Sequence, residues 1–424
     1  LMKNLIKYAP SPLEGKPAIT VDEDGKESAL ALDPNGSPMA FVFNTMADQY
    51  GKNSYFKVIS GDIEDTMTVV NARTGDNEKL GNTFFPKGKE NNKTNKVCCG
   101  DIGVFTKLAS VRTGDTLGLA GKVATVKPMT YDEPCYRMAI YAKTKGQEDK
   151  VAAGLVKLSE EDASFTYGND PETKEMIIAG VCDIHLSVII SKLLSKYKVE
   201  AELRPAKIAY RETIKKKHEQ HGRHKKQSGG HGQYGVVVME WEPSGDLENP
   251  YVFEQIVVGG AVPKNYFPAV EKGLQESVVK GPLAGYPVVG VKAVLYDGSY
   301  HPVDSSEMAF KTATVQAFKK GFMEASPVLL EPIANIKVTV PDEFTGDVMG
   351  DLNKRRGRVL GMTPIAGGNQ IIEADIPMTG VFGYCTVLRS MTGGRGTYSY
   401  EFVRYEQAPS DVQEKEIAKR ANEE

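Results

Sequence analysis

Nowhere in the sequence do 18 apolar residues run together, so no membrane-spanning helix is expected. The stretch Leu1 to Gly15 lacks the charged, apolar and small-residue zones of a signal peptide. It begins with Leu rather than Met, which reads as a chain cut from something longer. Cysteine is scarce: five residues, Cys98, Cys99, Cys135, Cys182 and Cys385, with no CxxC pair. That count and spacing argue against a disulfide scaffold or a zinc ribbon, and point to a reducing cytoplasm. Neither sign of charge dominates, with 52 Lys and Arg against 55 Asp and Glu. Nucleic-acid binding, if present, must therefore rest on local patches. The phosphate-cradling pattern Gly-x-x-x-x-Gly-Lys-Ser/Thr is missing too. Its nearest approach, Met46 to Asn53, lacks the first glycine and the hydroxyl residue. Asn92-Lys-Thr-Asn95 only grazes a guanine-reading motif. No nucleophile, acid and base stand together, so no catalytic residues, cofactor-binding residues or metal ligands are assigned.

At 424 residues the chain is too long for one core, and three or four domains are expected. Residues 1–36 read as an amphipathic helix stopped by Pro10 and Pro12, then a linker. Residues 37–122 alternate short β-rich runs with Gly and Asn-Gly turns, the pattern of a small barrel. Residues 127–205 switch period. A strand at Tyr136 to Ala142, a helix at about 147–161, two strands, a helix at about 183–197 and a last strand give βαββαβ, the ferredoxin-like order. Residues 327–410 repeat that order, with a strand at Ile336 to Val340, helices at about 346–356 and 380–391, and a final strand at Tyr398 to Val403. Between them, 206–326 read as an α/β domain. Asp304 and Glu307 have capping-box spacing, which places a helix start near Ser305. Residues 411–424 are left as a tail. The fold class expected is multidomain α+β: a β-barrel, two ferredoxin-like domains and an α/β domain between them.

Two basic clusters stand out. Residues 215–226 hold six Lys and Arg against Glu219, and continue into Gln227-Ser-Gly-Gly-His-Gly-Gln233. Lysine charge and Gly-rich backbone suit phosphate contact, led by Lys225 and Lys226. The plain alternative is a solvated loop. His218, His221 and His224 also admit a metal-site reading, against which stands the absence of a nearby Cys or carboxylate ligand set. The second cluster, Lys354-Arg-Arg-Gly-Arg358, ends a predicted helix. Dipole compensation accounts for some of that charge, and phosphate contact by Lys354, Arg355 and Arg356 for the rest. Tyr300 and His301 suit stacking on and hydrogen bonding to RNA better than catalysis. His185 reads as a packed or capping histidine on an apolar helix.

Several long stretches resemble elongation factor G. They are Ala209-Tyr-Arg-Glu-Thr-Ile214, Lys226-Gln-Ser-Gly-Gly-His-Gly-Gln-Tyr-Gly235, Gly281-Pro-Leu-Ala-Gly-Tyr-Pro-Val288, Gly298-Ser-Tyr-His-Pro-Val-Asp-Ser-Ser-Glu307, Pro327-Val-Leu-Leu-Glu-Pro332, and Thr345-Gly-Asp-Val-Met-Gly-Asp-Leu352. They occur in the family's order. Leu5 to Leu13 resembles the final helix of its GTPase domain, and the rest its domains two to five. Four places depart from the family's standard pattern: His231 stands where Arg is usual, Val181-Cys-Asp183 where Met-Gly-Glu is common, and Val262-Pro-Lys-Asn265 and Asn353 to Met362 resemble a divergent paralogue group.

The resemblance implies a cytoplasmic, monomeric, ribosome-engaging part of a translocase. Its expected partners are the 70S ribosome, rRNA, tRNA and mRNA, with no membrane. The tip loops it implies are Ser228, Gly229, Gly230, His231, Gly232 and Gln233, and Ser299, Tyr300 and His301. GTP and Mg2+ belong to the full-length relatives, which are ribosome-stimulated GTPases. Two other readings stand beside it: a paralogue acting in ribosome recycling or protection, and an RNA-binding module without a ribosomal role. Because the phosphate-cradling loop is missing, the chain is predicted to bind neither GTP nor GDP. Micromolar binding of either by titration calorimetry contradicts this.

Overall fold

The computed structural model describes all residues except 23, 49–50, 89, 109, 120–123, 228–231 and 423–424. The chain divides into two compact units, Leu1–Ala206 and Lys207–Glu424.

In the first unit, an eight-stranded antiparallel sheet runs in the order Asn77–Lys79, Thr68–Asn71, Thr116–Gly118, Met39–Asp48, Gly51–Ser60, Ile102–Thr106, Thr83–Lys87, Glu90–Thr94. Register shifts between its two longest strands add local twist and curl the sheet into a half-barrel. Phe56 and Phe105 stack inside it, ring centroids 3.7 Å apart. Asp115, 3% exposed, ties residues 71–73 to its own turn by accepting from Asn71, Arg73 and the Arg112 backbone. The segment read as a linker forms two strands instead, Ala18–Val21 and Glu27–Leu30, and Ala18–Val21 also pairs with Thr125–Val126. Glu27–Leu30 pairs with Ala18–Val21 alone among these segments, and the second partner of Ala18–Val21 lies far along the chain, where no local pattern reports it.

The first unit's second sheet has the order Thr166–Asn169, Met176–Gly180, Tyr136–Ala142, Ala201–Arg204. With helices Glu148–Glu161 and Asp183–Tyr197, this is the ferredoxin-like arrangement. Leu155, Leu158, Leu186, Ile189 and Leu193 form its core against Ile140 and Ile178. His185 caps locally: its Nδ1 accepts from the Val181 N–H and its Nε2 lies 3.1 Å from Asp162.

The second unit starts with β1 (Arg211–Ile214), β2 (His218–Lys226), β3 (Gln233–Pro243) and β4 (Tyr251–Gln255). Next come α1 (Phe267–Ser277), β5 (Val291–Ser299) and α2 (Glu307–Glu324). The sheet order is β2-β3-β5-β4, with β4 and β5 parallel across α1 and the other pairs antiparallel. Helix α2 buries Phe310, Ala313, Ala317, Phe318 and Phe322, a stripe of helical period, under Trp241 and Met239 of β3. Gly222 lets β2 lie against α2, because a Cβ there would meet the Ala313 oxygen at 2.0 Å. Helix α2 begins two residues later than the sequence predicts. Ser306 is its N-cap and accepts from Ala309 N, so Asp304 and Ser305 are left for another task.

The terminal part contains β6 (Pro327–Pro341), α3 (Thr345–Lys354), β7 (Arg358–Ile365), β8 (Asn369–Pro377) and α4 (Met378–Val381). It ends with α5 (Tyr384–Met391), β9 (Thr397–Gln407) and α6 (Ser410–Ala421). The order β9-β6-β8-β7 is again ferredoxin-like, in a sheet separate from that of the first unit. The single helix predicted at 380–391 is two, broken at Gly383, whose φ is 66°. The predicted tail is helical, as α6. Among the described residues no helix is long and apolar enough to cross a membrane.

Strand β1 joins the two halves of this unit. It pairs with the start of β6, and Glu212 also bridges Val288. The Glu212 side chain is fully buried. It accepts from the N–H groups of Leu283, Ala284 and Tyr286 at 2.8–2.9 Å. Burial pushes its carboxyl above the usual value, while those N–H donors pull the other way. Gly281 is required beside it, since a Cβ would sit 2.1 Å from the carboxylate. Glu212→Ala orphans three part-buried N–H groups, at up to about 1–3 kcal/mol each. The expected outcome is loss of cooperative thermal unfolding of residues 207–424 at or near room temperature, with Glu212→Gln intermediate. Wild-type melting for Glu212→Ala refutes it.

Candidate nucleic-acid interface

The antiparallel register of β3 and β5 places the start of one beside the end of the other, with Val236 opposite Ser299. The loop before β3 and the loop after β5 therefore meet at one end of the sheet. A nine-residue strand spans about 30 Å, which separates this end from Val291 and the β1 joint.

Hydrogen bonds staple the two loops. Tyr234 N–H donates to the Asp304 carbonyl at 2.8 Å, and Gly232 N–H to its carboxylate at 3.0 Å. Ser305 Oγ accepts from His301 N–H and donates to the Tyr234 carbonyl, both at 2.8 Å. Tyr234 OH reaches Ser299 Oγ at 3.2 Å, and its ring meets the His301 ring edge-on at 6.4 Å. The backbone N–H groups of Val303 and Asp304 point at His301 Nδ1. The Asp304 carboxylate lies 3.5 Å from the same nitrogen. The His301 side chain is 52% exposed and Tyr300 45% exposed, so both present polar edges to solvent.

The neighbouring hairpin supplies the charge. Lys225 pairs with Tyr234 and Lys226 with Gln233, and both lysines are exposed. His224 Nε2 lies 2.8 Å from Gln233 Oε1, so the two side chains orient each other across the hairpin. Residues 218–226 are a strand rather than a solvated loop. Its period of two puts His221 on the face opposite His218 and His224, which separates the three histidines. Among the described residues no group of three or more His, Cys, Asp or Glu is placed to hold a metal ion.

Of the predicted tip residues, Gly232, Gln233, Ser299, Tyr300 and His301 come together. Ser228, Gly229, Gly230 and His231 lie outside the described residues. Tyr234, His224, Asp304 and Ser305 complete the site: the sequence pattern put His224 in a candidate metal trio and Asp304 and Ser305 at a helix start, and left Tyr234 unmarked. The polar run after His301 was the available signal, and it reads first as helix capping.

The second basic cluster is arranged differently. Arg355 donates to Asp351 at 2.7 Å and to the Gly380 carbonyl at 2.9 Å. Arg356 grips the buried Glu331 with two bonds of 2.8 and 2.7 Å. Internal partners thus hold both guanidiniums, where the sequence pattern pointed to phosphate. Lys354, the last residue of α3, is exposed.

A curled half-barrel, two ferredoxin-like domains and an α/β domain with stapled end loops define a multidomain α+β protein of translation-factor type. Models of elongation factor G domains match in order along the chain: domain 2 at 37–120, domain III at 132–205, domain IV at 206–326 and the C-terminus at 328–416. The chain belongs to the elongation factor G family, and these matches span its domains II to V. It is similar to a protein of Thermus thermophilus whose crystal structure is known, with 35% identity and a TM-score of 0.75. The match covers the whole of this chain and 61% of that one.

Ser305→Ala removes one bond to each loop at once. About 1.4 kcal/mol of lost local stability is a tenfold change in opening, so amide exchange at His301 and Tyr234 should accelerate about tenfold while β3 stays protected. Unchanged exchange at both amides shows that the staple does not hold the loops.

Proposed function

We propose that this chain is the ribosome-engaging part of a translation elongation factor that advances tRNA and mRNA. The observation that carries the reading is the convergence of Gln233, Tyr300 and His301 beside Lys225 and Lys226 at one end of the β3–β5 sheet. Tyrosine and histidine edges suit unpaired bases and 2′-hydroxyls, and lysines suit phosphates. Ser228 to His231, in the same loop by sequence, belong to this proposed contact. Lys354 is an additional rRNA phosphate contact at the end of α3, while Arg355 and Arg356 tie the residues that follow it to Asp351 and Glu331.

In this reading the end loops enter the decoding site of the 70S ribosome and hold the tRNA–mRNA duplex while it moves. A GTPase domain with GTP and Mg2+ supplies the free energy in the full-length protein, which works in the cytoplasm as a monomer. Recycling or protection of ribosomes is the competing role. Presentation of both a Gly-Gln loop and a Tyr-His loop at one end favours translocation.

His301→Ala in the full-length protein is expected to slow translocation at least tenfold in a single-turnover assay, a loss of about 1.4 kcal/mol. Ribosome-stimulated GTP hydrolysis should remain nearly intact. Equal loss of both activities, or of neither, overturns the assignment. Failure to bind 70S ribosomes favours an RNA-binding module of another kind.

A further inference from the structure

Helix α6 packs on the second unit without fully burying any of its own residues. Its inward face is Val412, Gln413, Glu416, Ile417 and Arg420, all half-buried and only two of them apolar. Under its last turns lies a cavity of about 610 Å3, lined by Ile417, Phe318 and Leu283 among others. Side chains that face a void lose dispersion contacts, so apolar packing holds this helix weakly. A helix of 12 residues is also marginal in water by itself. Polar ties must therefore supply much of its docking.

Those ties converge on one place. Gln413 Oε1 accepts from the Leu329 N–H of β6 at 3.1 Å, and Leu329 is the strand partner of Glu212. Glu416 accepts from the Tyr286 hydroxyl at 2.6 Å. Arg420 Nε donates to the Ala284 carbonyl at 3.3 Å, and its guanidinium lies 4.7 Å over the Tyr286 ring. Ala284 and Tyr286 are two of the three residues whose N–H groups hold the Glu212 carboxylate. Burial, and then the bond to Glu416, push the Tyr286 hydroxyl above its ordinary pKa, so it stays a donor at neutral pH. Each of these ties thus ends on a residue that also meets Glu212. Just before the helix, Ala408 is buried and its N–H donates to the Leu329 carbonyl. A fixed Ala408 followed by Pro409 gives α6 a pivot that leaves β9 in place.

We propose that α6 is a detachable latch on the Glu212 joint. Docked, it holds the turn at 281–286 and the start of β6 around Glu212, and the α/β domain stands firmly on the terminal domain. Released, it leaves the donors of Glu212 less constrained, and the α/β domain tilts more freely. Coupling of this kind is reciprocal, so loosening the joint must also loosen α6. The end loops ride on that tilt; their consequence for translocation rests on the proposed function, whereas the latch itself does not.

Amide hydrogen exchange on the whole chain, without ribosomes, tests it. Wild-type α6 is expected to exchange at least tenfold faster than β3, because it opens locally. Gln413→Ala combined with Glu416→Ala removes two ties at half-buried positions. Tyr286→Phe removes one hydroxyl and keeps the ring. Both variants should speed exchange at least tenfold in α6 and at the Leu283, Ala284 and Tyr286 amides, with β3 unchanged. Glu212→Gln should in turn speed α6. The proposal is overturned by wild-type α6 as protected as β3, by turn amides that stay unchanged in both variants, or by α6 unchanged in Glu212→Gln. Loss of β3 protection together with α6 in both variants makes α6 part of the global core, and overturns it too.

Discussion

Burying a carboxylate without partners costs several kcal/mol, so a buried one must be surrounded by donors. Glu212 meets that constraint, and the second unit is arranged around it. Its side chain gathers the N–H groups of a turn that contributes no regular ladder of its own. Its backbone meanwhile pairs with β6 on one side and with residues 287–289 on the other. One residue thus connects the terminal ferredoxin-like sheet to the α/β domain that carries the end loops. Gly281, which admits the carboxylate, and Tyr286, which receives α6, belong to the same knot.

From that joint outward, rigidity passes along β5 to the far end of the sheet. Trp241, Phe310, Phe318 and Phe322 fill the space under β3 and β5, so the strands have a firm backing. At their ends Asp304 and Ser305 convert two loops into one surface. The result is a stiff shaft with a fixed root and polar groups held in place at its end. The arginines at Arg355 and Arg356 serve the root of the assembly by holding α3 and Glu331 in register.

Much of this was legible in the residues. Each βαββαβ order follows from a change of apolar period, and the helix at Asp183–Tyr197 and the strand at Tyr136–Ala142 fall where that change predicts. The convergence of Gln233 and His301 requires only that their strands be antiparallel neighbours, which a two-loop α/β domain makes available. Other features were opaque. The strand Ala18–Val21 pairs with Glu27–Leu30 on one side and with distant Thr125–Val126 on the other, and no local pattern reports that second partner. The polar helix Ser410–Ala421 has little apolar periodicity, and what docks it includes Tyr286 of the α/β domain, on Glu416, and the Leu329 N–H of β6, on Gln413.

The sequence by itself determined the domain order, the fold class, the family and the loops richest in contact chemistry, because period, turn residues and long motifs are local properties. Only the tertiary structure decided which charges remain for a partner. Lys225 and Lys226 end a strand and face solvent, whereas Arg355 and Arg356 are held by Asp351 and Glu331. Only the fold made Asp304 and Ser305 a staple rather than a cap. The physical reason is common to both cases. A polar side chain takes its role from the groups that packing places within hydrogen-bonding reach, and those groups lie far away along the chain.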